Sequence, residues 1–380
     1  MPDGLIAAHT AHSAAHTAGP AADELPAVEG LAHLLAHAEQ PVVMLGSRVW
    51  ADGATDAAVE LIRTLGIPAY VDSSARGTLP PGDPHHFQHS RAYAFAGADV
   101  ILLAGAPCGV RDFRAGYGRR LSSHSTVVQI DTGGAGRVLR SVARAAAAHA
   151  FEARADRAAI RRKEWLDELR TAEQTATSLW QRHLTSDESP VHPFRLLAEI
   201  DQFLTEESVF IADDPRSAAL AARIVQPKTP GHWMDPGPLG TAGVGIPFAL
   251  AVQESGADKE TVVLFADDPS TSATWDFAVL VRHHLPVIGV VAHTGDAPSL
   301  NQARMQGGYS EDVRDPAAIR PALQRARASG RPALIGIRID PDAYLPGSVN
   351  QPSRPGQPGH TSHTSHPNQP HHQTDRLRNQ

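Results

Sequence analysis

Short apolar runs rich in Val and Ile alternate with longer Ala-rich, helix-compatible stretches, and this alternation constrains the fold of the chain more than any other feature. One series of such runs begins at Pro41, and a second begins near His192. Runs that are apolar at every position suit strands covered on both faces, as in a parallel sheet flanked by helices. The pattern therefore predicts an α/β fold with two doubly wound parallel-sheet domains.

The stretch between the two series has a different composition. Val138 to Thr185 contains no Pro or Gly and is rich in Ala, Arg, Glu and Gln, which predicts a helical connector. The C-terminal tail is rich in Pro, Gln, Ser and His, and it buries too little apolar surface to order itself, although its histidines could bind a metal ion. The predicted organisation is a disordered tail at 1–24, a Rossmann-like domain at 25–150, the connector at 151–189, a second sheet domain at 190–345 and a disordered His-rich tail at 346–380.

Charge and cysteine content exclude several function classes. The formal net charge is −7, and no basic stripe is present of the kind that binds nucleic acid. The single cysteine, Cys108, excludes an intramolecular disulfide, and no apolar run approaches the roughly 20 residues that cross a bilayer. We therefore expect a cytoplasmic protein that binds neither nucleic acid nor membrane.

The second series carries the most informative motifs. A turn containing Gly237, Gly240, Gly243 and Gly245 leads into an apolar, helix-compatible stretch. An apolar run then leads to Asp267, and about two dozen residues later another run leads to position 294. This order resembles the acetolactate synthase-like thiamine diphosphate (ThDP) enzyme family. The first series is similar too, and the resemblance spans residues 25 to 343.

The resemblance implies ThDP and Mg²⁺ as cofactors, because these enzymes bind the cofactor's diphosphate through a metal ion and through glycine-bearing loops. It leaves binding of a flavin nucleotide open. It also implies two groups of site residues. The implied metal ligands are Asp267, Thr294 and Asp296. The implied cofactor-binding positions are Gly237, Leu239, Gly240, Ala242, Asp213, Asp214 and Asp268.

Several of these positions depart from the family pattern. The glycines expected around Asp267 are replaced by Ala266 and Asp268, and the expected Asn-Asn pair is His293 and Thr294. The segment after the apolar run that ends at Ala212 likewise contains two consecutive aspartates followed by a proline. A carboxylate near a diphosphate repels it, so these changes predict weak or absent ThDP binding. Asp before Pro also suits a helix N-cap, which needs no ligand.

In this family a Glu on an N-terminal domain of roughly 150 residues activates the cofactor. Only about 30 residues precede the first domain here, so that N-terminal domain is expected to be absent, and no catalytic residue is assigned. One hypothesis is a degenerate or non-autonomous subunit. The alternative is the cofactor-binding half of a split ThDP-dependent 2-oxo acid decarboxylase or carboligase, completed by a partner polypeptide. Either way the resemblance implies a homo- or hetero-oligomer.

Overall fold

A computed structural model describes residues 25–106, 124–130, 135–152, 157–255, 259–265 and 273–343. The predicted tails and the implied site residues Asp267 and Asp268 lie outside these ranges. Among the described helices, none combines the length and the apolar character that a bilayer crossing requires.

The first domain contains a parallel sheet between two layers of helices. Its elements are α1 (Leu25–His37), β1 (Pro41–Leu45), α2 (Arg48–Ala51), α3 (Thr55–Leu65), β2 (Ala69–Val71), α4 (Arg91–Gly97), β3 (Val100–Ala104), β4 (Thr126–Ile130) and α5 (Ala135–Glu152). The four strands are all parallel, in the order β2-β1-β3-β4. Alternate side chains of β1 enter different cores, with Val43 and Leu45 in one and Val42 and Met44 in the other. Both faces are therefore covered.

A long helix, α6 (Arg157–Ser178), leads to the second domain. That domain consists of α7 (Pro193–Phe203), β5 (Val209–Ala212), α8 (Pro215–Ala221), β6 (Trp233–Met234), α9 (Gly245–Glu254), β7 (Thr261–Phe265), α10 (Ala273–Arg282), β8 (Val287–His293), α11 (Pro298–Met305), β9 (Tyr309–Val313), α12 (Ile319–Ser329) and β10 (Ala333–Arg338). Its six parallel strands follow the order β6-β5-β7-β8-β10-β9. The prediction of two doubly wound parallel-sheet domains is confirmed.

The strand order of the second sheet fixes where a ligand can bind. From β5 the chain passes outward to β6 at one edge, whereas from β7 it passes to β8 on the other side. The connections leaving the adjacent strands β5 and β7 therefore diverge, which makes the carboxyl ends of these two strands a topological switch point. Such switch points are where open α/β sheets bind ligands.

Close contacts hold α6 and the second domain against the first domain. The Glu173 carboxylate, on α6, accepts hydrogen bonds from the amides of Gln88, His89 and Ser90 at distances of 2.8 to 3.2 Å. It also accepts one from the Ser90 hydroxyl at 2.8 Å. Near the second domain, Gly77 has a φ of +88°, and a Cβ there would lie 2.4 Å from the carbonyl oxygen of Thr229. The backbones thus pack directly against one another, and this fixes the position of the second sheet.

Candidate functional site

The switch point is bordered by the loop after β5 and by a glycine-rich turn before α9. Asp213 and Asp214 follow β5 directly, and the turn runs from Gly237 to Gly245. The backbone carbonyl of Asp213 also accepts the amide of Gly243 at 3.2 Å. The loop and the turn, distant in sequence, are therefore held together by hydrogen bonds.

The Asp213 side chain is the buried centre of this arrangement, with 8% of its surface exposed. Its carboxylate accepts the Gly245 amide at 2.8 Å and the Gly243 amide at 3.3 Å. Burial raises the pKa of Asp213, while the two amide hydrogen bonds act in the opposite direction and the neighbouring Asp214 adds to the rise. The Asp213 carboxylate therefore holds the backbone of the glycine-rich turn through two hydrogen bonds, at a position with little access to water.

Asp214 caps the helix that begins beside it. Its Oδ1 accepts the amide of Arg216 at 2.7 Å and that of Ser217 at 3.0 Å. The Ser217 hydroxyl in turn accepts the Asp214 amide at 3.1 Å, which completes a capping box, and Pro215 occupies the first helical position. The expected N-cap role of an Asp before Pro is confirmed at this loop. The first donors of α8 are therefore used within the chain.

The remaining predicted cofactor positions lie along the turn. Gly237 and Gly240 have φ values of +61° and +63°, which only glycine adopts readily. The Gly237 amide donates to the Asp235 carboxylate at 2.8 Å. Leu239 is 91% exposed, and Ala242 is exposed as well. The structure thus brings these four residues to the switch point together with Asp213 and Asp214.

The predicted metal ligands Thr294 and Asp296 lie in the loop after β8, and both are exposed. His293, which precedes them, is 2% exposed and bonds inward, to the Gly295 carbonyl at 2.7 Å and to Asp312 at 2.9 Å. Within the described ranges, no three His, Cys, Asp or Glu side chains converge where a metal ion could sit. Because Asp267 falls outside those ranges, its assignment to the metal stays a prediction.

Comparison with known proteins identifies the fold family. Residues 28–148 match the thiamine pyrophosphate enzyme central domain, and residues 216–295 match the thiamine pyrophosphate enzyme C-terminal TPP binding domain. The chain belongs to the thiamine pyrophosphate enzyme family. The second match includes the glycine-rich turn and ends in the loop after β8. The resemblance inferred from the sequence motifs is therefore confirmed for the central and C-terminal domains of this family.

The chain is also similar to individual proteins of known name. The chain is 31% identical over 363 residues to the acetolactate synthase large subunit of Mycobacterium tuberculosis, an alignment that covers 87% of this chain and 64% of the relative. It is 30% identical over 278 residues to 2-hydroxyacyl-CoA lyase 2 of Bos taurus and 29% identical over 278 residues to that of Homo sapiens. Those two alignments each cover 70% of this chain and 44% of the relative. The chain thus spans less than two thirds of the length of these relatives.

The described residues do not fit a diphosphate group. Phosphates bind to free backbone amides at helix N-termini and in glycine-rich turns, assisted by positive charge. Here the amides of Arg216 and Ser217 donate to Asp214, and those of Gly243 and Gly245 donate to Asp213. A carboxylate about 6 Å from a phosphate charge also costs about 3 kcal/mol at an effective dielectric constant of about 20. The carboxylates of Asp213 and Asp214 thus accept hydrogen bonds from amides that a diphosphate would need as donors.

Sequence reasoning missed two partners that complete these loops. Ser217 is fully buried and reciprocates the cap of Asp214, and the Asp-Pro-Arg-Ser pattern could have indicated it. Asp312 lies 19 residues from His293 along the chain, yet the two side chains meet. No local sequence pattern indicated that His293 and Asp312 would meet.

Proposed function

We propose that this chain is a degenerate or non-autonomous subunit of the thiamine pyrophosphate enzyme family, and that it does not bind ThDP with ordinary affinity on its own. The observation that carries the proposal is the internal use of four amides by Asp213 and Asp214. Its two α/β domains keep the family's fold while the anion-binding donors are satisfied from within. Its role would then be structural or regulatory, through assembly with an intact relative.

The proposal includes an oligomer and a cytoplasmic location. In this family the cofactor lies between domains of two different subunits, which favours assembly of this chain with another polypeptide. The single cysteine suits a reducing compartment.

A second candidate function is the cofactor-binding half of a split ThDP-dependent 2-oxo acid decarboxylase or carboligase. One observation favours it: Leu239, in the turn at the switch point, is 91% exposed, and a second domain that covered this side chain would remove its apolar surface from water. A partner polypeptide would supply that domain and its activating Glu. In this case Thr294, Asp296 and Asp267 would contribute to a Mg²⁺ site once the partner is bound.

Titration calorimetry of the purified full chain with ThDP and Mg²⁺ tests the first proposal. We expect no saturable binding at micromolar concentrations. The variant Asp214→Ser keeps a good N-cap residue and removes its charge. We expect this variant to bind pyrophosphate with Mg²⁺ about tenfold or more tightly than the wild-type chain, because one carboxylate has left the site.

A matched control is available elsewhere in the same domain. Asp315 also precedes a proline and caps a short 3₁₀-helix, accepting the Ala317 amide at 2.9 Å. Asp315→Ser should therefore leave pyrophosphate affinity unchanged. Micromolar ThDP binding by the wild-type chain would contradict the degenerate-subunit proposal.

The two candidate functions separate in a reconstitution experiment. The chain is mixed with a purified polypeptide that carries the family's N-terminal domain, and ThDP-dependent decarboxylation of a 2-oxo acid is followed. The split-enzyme proposal requires activity that depends on both polypeptides. Complex formation without activity supports the degenerate-subunit proposal.

A further inference from the structure

A second group of charged side chains lies where β8, β10 and β9 end, on the far side of β8 from the switch point. In register, β10 residue Gly336 pairs with Val291 of β8 and with Asp312 of β9, and Arg338 pairs with His293. Residues paired in register on parallel strands point to the same face. His293, Gly336, Asp312 and Arg338 therefore share one face of the sheet at its carboxyl edge.

On that face His293 and Asp312 bridge two strands that are not neighbours. His293 Nε2 lies 2.9 Å from Asp312 Oδ1, across the intervening strand β10. A Cβ on Gly336 would lie 3.2 Å from each of these two atoms and 2.6 Å from Leu300 Cδ1. Glycine at this position therefore leaves room for the bridge. The bridge forms a floor next to Arg338, with the His293 side chain buried and the Asp312 side chain exposed.

A cavity of about 500 Å³ lies against this floor. Its charged lining comprises three arginines and two aspartates, which are Arg304, Arg314, Arg338, Asp296 and Asp312.

The charges in the cavity do not cancel. Asp312 is bonded to His293, and its other oxygen lies 3.7 Å from Arg314 Nε. The half-buried Arg338 guanidinium makes no hydrogen bond or ion pair with any residue in the described part of the chain. Among the residues that the structure describes, the Arg304 guanidinium contacts only the Ser310 carbonyl, at a long 3.4 Å. Two guanidinium groups thus remain available against the single carboxylate of Asp296.

We propose that this cavity is an oxyanion-binding site, taking a small carboxylate or a phosphate group, with Arg338 as its anchor. A guanidinium presents two parallel donors that match the oxygens of either group. Arg304 lies on α11 and Arg314 just after β9, so guanidinium groups from three elements surround the same space. The site uses none of the residues that hold the switch point, and it does not depend on the degenerate-subunit proposal. Of its charged residues, Asp296 is shared with the Mg²⁺ site of the second candidate function.

Titration calorimetry of the full chain at constant ionic strength tests this assignment, with sodium phosphate and sodium acetate as separate probes in a chloride buffer. We expect saturable binding of at least one probe. Binding of phosphate alone assigns the site to phosphate groups, and binding of acetate alone assigns it to carboxylates. Arg338→Gln should weaken the bound probe by about tenfold or more, since a charge-assisted hydrogen bond is lost.

Arg331→Gln is the matched control, because Arg331 is an exposed arginine just before the same strand and outside the cavity. It should leave the affinity unchanged. Arg304→Gln, on the exposed side of α11, serves as a second cavity variant if Arg338→Gln fails to fold, and it too should weaken binding. Absence of saturable binding by both probes, or equal affinity in the cavity variants and the wild-type chain, would overturn the assignment.

Discussion

Replacing Gly245 by alanine is the most direct probe of how the glycine-rich turn is held. A Cβ at this position would lie 2.6 Å from Val263 Cγ1 and 2.7 Å from Asp213 Oδ1. Non-bonded carbon atoms normally approach to about 3.5–4.0 Å, so neighbouring atoms must move by roughly 1 Å. That movement separates the Asp213 carboxylate from the Gly245 amide, which now lie 2.8 Å apart.

Two costs add in this variant. Inserting a methyl group into a packed interior costs about 1–3 kcal/mol. Losing a hydrogen bond to a charged group costs about 1.5–3 kcal/mol. The sum is about 2.5–6 kcal/mol, which corresponds to a fall in Tm of roughly 5–24 °C at about 2–4 °C per kcal/mol for domains of this size. The loss should be accompanied by increased mobility of the turn, because Asp213 no longer holds it.

Thermal denaturation followed by circular dichroism measures the effect, with Gly30→Ala as the matched control. Gly30 is an exposed residue within α1, and no heavy atom lies within 4 Å of its Cβ position. Alanine is favoured over glycine within a helix by about 0.5–1 kcal/mol, so this control should melt slightly higher than the wild-type chain. If Gly245→Ala melts within about 1 °C of the wild-type chain, the contact between Asp213 and the turn does not stabilise the fold as argued here.

Two further predictions concern Glu173, where α6 packs against the first domain, and Asp201 on α7. Glu173→Ala should lower Tm by several degrees, because three backbone amides and the Ser90 hydroxyl lose a charged acceptor, at a total cost of about 1.5–3 kcal/mol once water replaces it in part. An unchanged Tm would mean that water replaces the carboxylate fully. Burial raises the pKa of Asp201, so the folded state holds its proton more tightly than the unfolded state does. Stability should therefore fall as pH rises from the ordinary unfolded pKa of Asp201 to its raised folded pKa, and Asp201→Asn should remove that part of the pH dependence in melts between about pH 4 and 7.

The architecture was predictable from the sequence because it depends on short-range patterns. Apolar runs such as Val42 to Leu45 indicate buried parallel strands, and the composition after Gly136 indicates helices. The cap formed by Asp214 was predictable for the same reason, since its partner is only three residues away. The bridge between His293 and Asp312 was not, because it depends on β10 being inserted between β8 and β9. Strand order in a sheet is set by packing of the whole domain, and no local motif reports it.

The glycines of the turn have a different meaning in the structure from the one they suggest in the sequence. In the sequence, Gly243 and Gly245 suggest a cofactor-binding turn, because glycine allows amides to approach a phosphate. In the folded chain both amides donate to Asp213. At Gly245, the nearby atoms of Val263 and Asp213 also leave no room for a larger residue. These glycines would therefore be needed whether or not a diphosphate ever binds. The glycines of the turn are therefore evidence for the fold. The evidence about cofactor binding lies in the Asp213 and Asp214 carboxylates, which accept hydrogen bonds from the amides that a phosphate group would bind.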